Sequence, residues 1–217
     1  MFKLDARKVM LNIAVDDSDS LYRNGMEMFL EELFLEEQNE PVQFNSLTKS
    51  NATQVDVIVK SFVPGAEYIC QPMLKYRSKP GVIIGIYDGD KSPYHDELPL
   101  CIKNIVFINR SEPLETAREQ VIQAWNENVE KPSTLACKKC LKCKYRTLTS
   151  QQLIIAKHML RGKDISDIAE LLKINVKTVS AHKRLMMSKF NLSSDFELLQ
   201  FLKDLKQHNP PIHLFSW

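Results

Sequence analysis

Long apolar runs are missing from this chain. No uninterrupted stretch approaches the about 18 apolar residues that a bilayer-spanning helix needs, so no membrane partner is expected. The opening MFKLDARK sets Asp5 and Arg7 where a secretory leader needs apolar residues, and the expected location is the cytoplasm. Glycine is scarce, at 6 of 217 residues, and none of it builds a phosphate-cradling loop. A nucleophile elbow and a zinc-hydrolase motif are also missing, which argues against an enzyme. Net charge is small, +2, but that figure hides an uneven distribution. Residues 131–217 hold 16 Lys and Arg against 6 Asp and Glu, whereas residues 1–130 hold 13 against 21. A basic end suits a polyanion; the acidic body needs a different task.

The basic end contains the densest set of local signals. Thr149 and Gln152 spell a capping box, in which each side chain satisfies a backbone donor at a helix start. Leu153, Ile154, Ala156 and Leu160 follow at helical spacing, and Gly162 supplies a stop. Asp164 caps a second, short helix bearing Ile165, Ile168, Ala169, Leu171 and Leu172, ended by a tight turn at Lys173, Ile174 and Asn175. Asn175 caps a third, whose predicted inward stripe is Val179, Leu185, Met186 and Phe190. Its other face carries Lys177, Ser180, Lys183, Arg184 and Lys189. Two short helices, a turn and a half-basic third helix make a helix-turn-helix, which reads double-stranded DNA.

Leu148-Thr149, Gly162, Ile168-Ala169, Thr178-Val179, His182 and Lys189 also stand where the LuxR/NarL-type DNA-binding domain places its pattern. Over about 60 residues the chain resembles that family. The run Lys177–Lys183 and the later Met187-Ser188-Lys189 are similar in particular to enterobacterial Rcs and Bgl-type regulators. The resemblance implies Ser180, Ala181 and Arg184 at base edges, and Lys177, Thr178, Lys183 and Lys189 at phosphates, with His182 in the same helix. It also implies pairing, as a homodimer or as a heterodimer with another LuxR-type regulator. Phe196, Leu198, Leu199, Phe201, Leu202 and Leu205 form a further helical stripe after a Ser193-Ser194-Asp195 cap, which covers the motif; the resemblance implies a dimer contact through this helix, and Phe196, Leu199 and Leu202 together with the acidic receiver-like body are the surfaces expected to serve pairing.

Ahead of this lies alternation of strand and helix. Val9–Val15 reads as a buried strand ending in Asp16, Asp17 and Asp19, and residues 20–37 as an amphipathic helix with Leu21, Met26, Phe29, Leu30, Leu33 and Phe34 inward. Val42–Phe44, Val55–Val59, Val82–Ile86 and Ile105–Ile108 resemble strands, and Pro113 opens a last helix. Residues 66–78 are a weaker helix candidate, and 88–104 look mostly like loop. The pattern predicts an α/β fold, a five-stranded doubly wound domain over residues 1–130, followed by a four-helix all-α domain over 147–207 and a tail over 208–217. Such an order resembles the receiver of response regulators, which hold Mg²⁺ at an acidic pair and take phosphate on an Asp. Asp16 and Asp17 match the pair. The acceptor position, four residues before Pro64, falls on Lys60, which cannot form an acyl phosphate; the expected hydroxyl falls near Ile86 and the expected Lys on Asn109. The resemblance is therefore to a degenerate receiver, in which Lys60 pairs with an Asp and phosphate is no longer the signal.

The linker, 131–146, holds Cys137, Cys140 and Cys143, three thiols within seven residues and among four lysines. Thiolates at this spacing grip zinc or an iron–sulfur cluster, or act in redox sensing, although no second Cys-x-x-Cys completes a tetrahedral set. A basic linker with reduced thiols and no cofactor is the alternative.

Overall fold

The computed structural model describes residues 10–74, 77, 81–89, 92–93, 98–102, 104–130 and 145–208. The chain forms two compact units. The first comprises residues 1–61, 73–92 and 101–141; the second comprises 62–72, 93–100 and 142–217.

In the first unit, β1 (Leu11–Asp16), β2 (Val42–Asn45), β3 (Val57–Phe62), β4 (Val82–Tyr87) and β5 (Ile105–Asn109) lie in the order β2-β1-β3-β4-β5. β1 pairs in parallel with β2 and β3, and β4 with β5. Parallel strands covered on both faces become nearly continuous apolar runs, and Ile13, Ala14, Val57, Ile58, Val59, Val82, Ile83, Ile84 and Ile86 are fully buried. Helix α1 (Ser20–Gln38) starts because Asp19 accepts from the N–H groups of Leu21 and Tyr22, and ends on Asn39 in the left-handed conformation. Its buried face is Met26, Leu30, Leu33 and Phe34. Helix α2 (Leu114–Glu130) covers the same core through Ala117 and Val121, and its Trp125 meets Phe34 edge to face at 5.1 Å. Each fully buried side chain of this size contributes about 1.5–3 kcal/mol.

Three expectations need correction here. β3 begins at Val57, not Val55, because Asp56 is used as an anchor in front of the strand: its carboxylate accepts from the Asn12 N–H at 2.9 Å and its own N–H donates to the Asn12 carbonyl. Leu21, expected inward on α1, is 82% exposed. Residues 66–78 hold the 3-10 turn Ala66–Tyr68 and no α-helix among the described residues, since Gly65 opens that turn at φ +87° and Ile69 leaves it extended. In the stretch read as loop, Leu100–Ile102 makes one more such turn.

The second unit is helical: α3 (Ser150–Leu160), α4 (Ile165–Leu172), α5 (Val176–Lys189) and α6 (Asp195–His208). The capping box forms with both of its bonds, Gln152 N–H to Thr149 Oγ1 and Thr149 N–H to Gln152 Oε1. Gly162, at φ +78°, turns the chain out of α3 as a residue with a side chain would not without strain. Asp164 and Asn175 cap α4 and α5, while Lys173 takes the left-handed conformation between them. The core joins Leu148, Ile155, Ala156, Ile168, Ala169, Val179, Met186, Phe190, Leu198, Phe201, Leu202 and Leu205 with Tyr68 and Ile69. Phe190 and Phe201 lie 4.3 Å apart between ring centres. No helix among the described residues is long and apolar enough to cross a membrane.

Candidate nucleic-acid interface

Helix α5 is held from three sides. Val179, Met186 and Phe190 point into the core, Asn175 fixes its start, and Arg146 fixes its end by donating to the Lys189 carbonyl. The Arg146 guanidinium lies 3.9 Å over the Tyr68 ring, so a cation–π contact holds the group that holds the helix. Glu67, beside Tyr68, is buried; burial first, against the pull of backbone N–H groups and Arg146, raises its carboxyl to about 7.

The outward surface of α5 carries Lys177, Thr178, Ala181 and Arg184, all exposed. Ser180 and Lys189 are half-buried. Lys183 is also half-buried and is engaged: its ammonium donates to both carboxylate oxygens of Asp195, at 2.9 and 2.8 Å. His182 is half-buried, and its Nδ1 lies inside without a hydrogen-bond partner. Leu185, expected in the inward stripe, is 57% exposed, because Val179, Met186 and Phe190 already fill the inward arc and Leu185 lies about 100° from Met186. Leu171 of α4 is exposed for the same reason, one position from the inward arc. On α6, Leu202 is fully buried and Leu199 half-buried, so only Phe196 of the expected dimer stripe faces out. The thiols Cys137, Cys140 and Cys143 and the tail residues Phe215 and Trp217 lie outside the described residues; among those described, no three His, Cys, Asp or Glu side chains group as metal ligands.

Residues 146–202 match the model for bacterial regulatory proteins, luxR family. This region is a LuxR-family helix-turn-helix. The chain is 47% identical over 55 residues to the transcriptional activator protein BglJ of Escherichia coli (strain K12), which is 25% of this chain and 24% of that protein. It is 40% identical over 57 residues to the oxygen regulatory protein NreC of Staphylococcus epidermidis, 26% of each chain. The matched stretch thus spans about a quarter of either relative. Two solved structures share the fold far more broadly: one of two RcsB dimers bound to two parallel DNAs, at TM-score 0.53 and 17% identity, and one of an RcsB–DNA complex, at 0.52 and 16%. Each likeness covers 91% of this chain and 100% of the other. The fold is therefore that of a response regulator, a receiver-like sheet domain before the LuxR-type domain.

In the receiver-like unit the strand ends gather a charge cluster. Asp16 stands opposite Lys60 in the β1–β3 register, and Lys60 Nζ donates to its carboxylate at 2.8 Å. Asp17, buried, accepts from the Ser61 hydroxyl, from the Asp19 N–H at 2.8 Å and from Arg110 Nη2 at 2.9 Å. Burial alone would raise the Asp17 carboxyl; the bonds from Ser61, Asp19 and Arg110 outweigh it and hold it below the ordinary value. The same guanidinium stacks 4.0 Å from the Tyr22 ring and lies 3.5 Å from Asp88. Arg110 and Ser61 escaped the sequence reading, which stopped at Asn109; the available signal was a cation immediately after an apolar strand. Mg²⁺ asks for carboxylate oxygens directed at one octahedral centre. Here each carboxylate of the pair already has a side-chain cation of the chain on it, so the donor set does not fit a divalent ion.

Proposed function

We propose that the chain is a sequence-specific regulator of transcription that binds double-stranded DNA by laying α5 in the major groove. The observation that carries this is the exposed row Lys177, Thr178, Ala181 and Arg184 on a helix whose other face is locked into a LuxR-type core. Arg184 is placed to read a base edge, for which a guanidinium matches the two acceptors of guanine; Ser180 and Ala181 lie in the same arc. Lys177, Thr178 and Lys189 serve phosphates and set the register of the helix on the duplex. Lys183 reaches a phosphate only by leaving Asp195. One helix of this kind discriminates too few base pairs alone, so the regulator acts in the cytoplasm as a pair.

We further infer that phosphate is not the signal, because an ammonium stands at the acceptor position and the acidic pair is neutralised from within. The test is a genome-wide DNA pull-down followed by gel shifts on the recovered operator. Arg184→Ala should cost about 1–3 kcal/mol of affinity and relax preference at one base pair. Wild-type binding by that variant would overturn the assignment of α5.

A further inference from the structure

Arg77 is a cation that the fold encloses and gives almost nothing to bind. It lies in the connection between β3 and β4 and is 4% exposed. Its side chain has one hydrogen-bond acceptor among the described residues, the Gly81 carbonyl, reached from Nη2 at 2.6 Å. A guanidinium carries five N–H donors, so most of the fork is unused by those residues. Burial lowers the Arg77 pKa to about 10, which still leaves the group charged at neutral pH. Arg110 and Lys60 are less deeply buried, yet each holds a carboxylate, Asp17 and Asp16 respectively. Among the described residues Arg77 has no such pair. An unpaired charge inside a protein is costly, and side chains of its kind are seldom kept there without an anion.

The local geometry turns the chain's own acid elsewhere. Gly81 is pressed against the backbone in front of β3, where a Cβ built on it would meet the Asp56 carbonyl oxygen at 2.0 Å. Asp56 directs its carboxylate to the Asn12 N–H, at 2.9 Å, and not to Arg77. The sequence around Arg77 has the same bias. Residues 68–87 contain no Asp or Glu, although residues 1–130 hold 21, and Lys75 and Lys79 stand two positions to either side of Arg77. Three cations in five residues, in a stretch without acids, favour an anion from outside the chain.

We propose that Arg77 is the centre of a binding site for a small, doubly charged oxyanion of the phosphate class, held on the unused N–H groups of its fork. A guanidinium meets two oxygens of a tetrahedral oxyanion in parallel bonds, and such a charge-assisted pair offsets the hydration that the enclosed cation has lost. Burial also selects by size. A duplex or a protein surface cannot reach a side chain that is 4% exposed, whereas an ion of a few atoms enters through local opening. Gly81 and Asp56 put the site at the amino-terminal edge of β3 and β4, the end of the sheet opposite Asp16 and Lys60. The anion is bound there intact and reversibly, with no transfer to any residue. This inference goes beyond DNA binding and does not depend on it.

The test is calorimetric titration of the full chain with inorganic phosphate, paired with melting curves, at constant ionic strength. Wild type should bind about one equivalent saturably, and its melting midpoint should rise by at least about 3 °C when phosphate reaches about 100 times Kd. Constant ionic strength and low concentration keep out the general stabilisation that phosphate gives by exclusion from protein surfaces. Arg77→Met removes the charge at similar volume; it should melt no lower than wild type in chloride and lose the phosphate response. Arg77→Lys keeps the charge without the fork and should bind at least about tenfold more weakly. Glycerol 3-phosphate, titrated alongside, separates the two sources of the same chemistry: tighter binding than inorganic phosphate identifies an ester, weaker binding the free ion. Wild type that binds no phosphate overturns the proposal, as does an Arg77→Met chain that binds it as wild type does. An Arg77→Met chain that melts well below wild type in chloride also sinks it, since Arg77 would then be a structural partner of Gly81. Acetate bound as tightly as phosphate would refute the doubly charged class.

Discussion

Glu67 shows what one buried carboxyl does to a fold. Its value of about 7 lies above the ordinary 4.5, so between those limits the folded chain holds a proton that the unfolded chain has released. The sign follows: the favourable state exists below about 4.5 and is lost as pH rises to about 7. Glu67→Gln keeps the shape and removes the titration. It should leave stability near pH 4.5 little changed and stabilise the chain at pH 8 by about 3 kcal/mol, read as the difference between wild-type and variant melting curves across pH. A variant curve parallel to wild type at all pH values would contradict the assignment. None of this was legible in Glu67 as a letter, because its burial depends on neighbours distant in sequence, Arg146 among them. Lys60 was legible, since an ammonium in place of an acid follows from its distance to Pro64. Arg110 was not, because reaching Asp17 requires the lateral order of β1, β3, β4 and β5 in the sheet, which no local pattern encodes.

Helix ends were the clearest elements to read. The Thr149–Gln152 box and the Asp164 and Asn175 caps form as spelled, because a cap depends only on residues within one turn. Thr149→Ala should therefore cost about 1 kcal/mol in unfolding measurements, and Thr149→Ser far less. Helical period alone put Leu185 inside: period identifies a face, but not how wide an arc the core can fill. Ion pairing modifies the element's charge. Lys183 is held by Asp195, so Asp195→Ala should release it and steepen the dependence of DNA affinity on salt by about one phosphate, with Lys189→Ala reducing the slope by about 1. Affinity titrated against salt concentration measures both.

Across the whole molecule, the charge count separates an acidic stretch, residues 1–130, from a basic one, 131–217, and the receiver-like order was visible in the alternation of strands and helices. The connections after β3 and β4 were hard to read because they carry 3-10 turns in place of amphipathic helices among the described residues. Acetyl phosphate with Mg²⁺ should leave DNA affinity unchanged, and mass spectrometry should find no phosphoaspartate in residues 1–130. Stoichiometric modification at Asp16 or Asp17 would refute that expectation.

The pairing of Lys60 with Asp16 also bears on history. Lys60→Asp would restore an acid at the acceptor position, yet it would set that acid in register beside Asp16 with the neutralising ammonium gone, while Arg110 still occupied Asp17. Like carboxylates so close cannot both ionise freely, so the single reversion should destabilise the sheet and accept no phosphate. Removing Arg110 first would strand buried Asp17 without its cation, a cost of the same kind. The two replacements are coupled, and their double mutant should differ from the sum of the singles. Each guards the other against reversal, so a descendant of this chain regains a phosphate switch only by crossing a less stable intermediate.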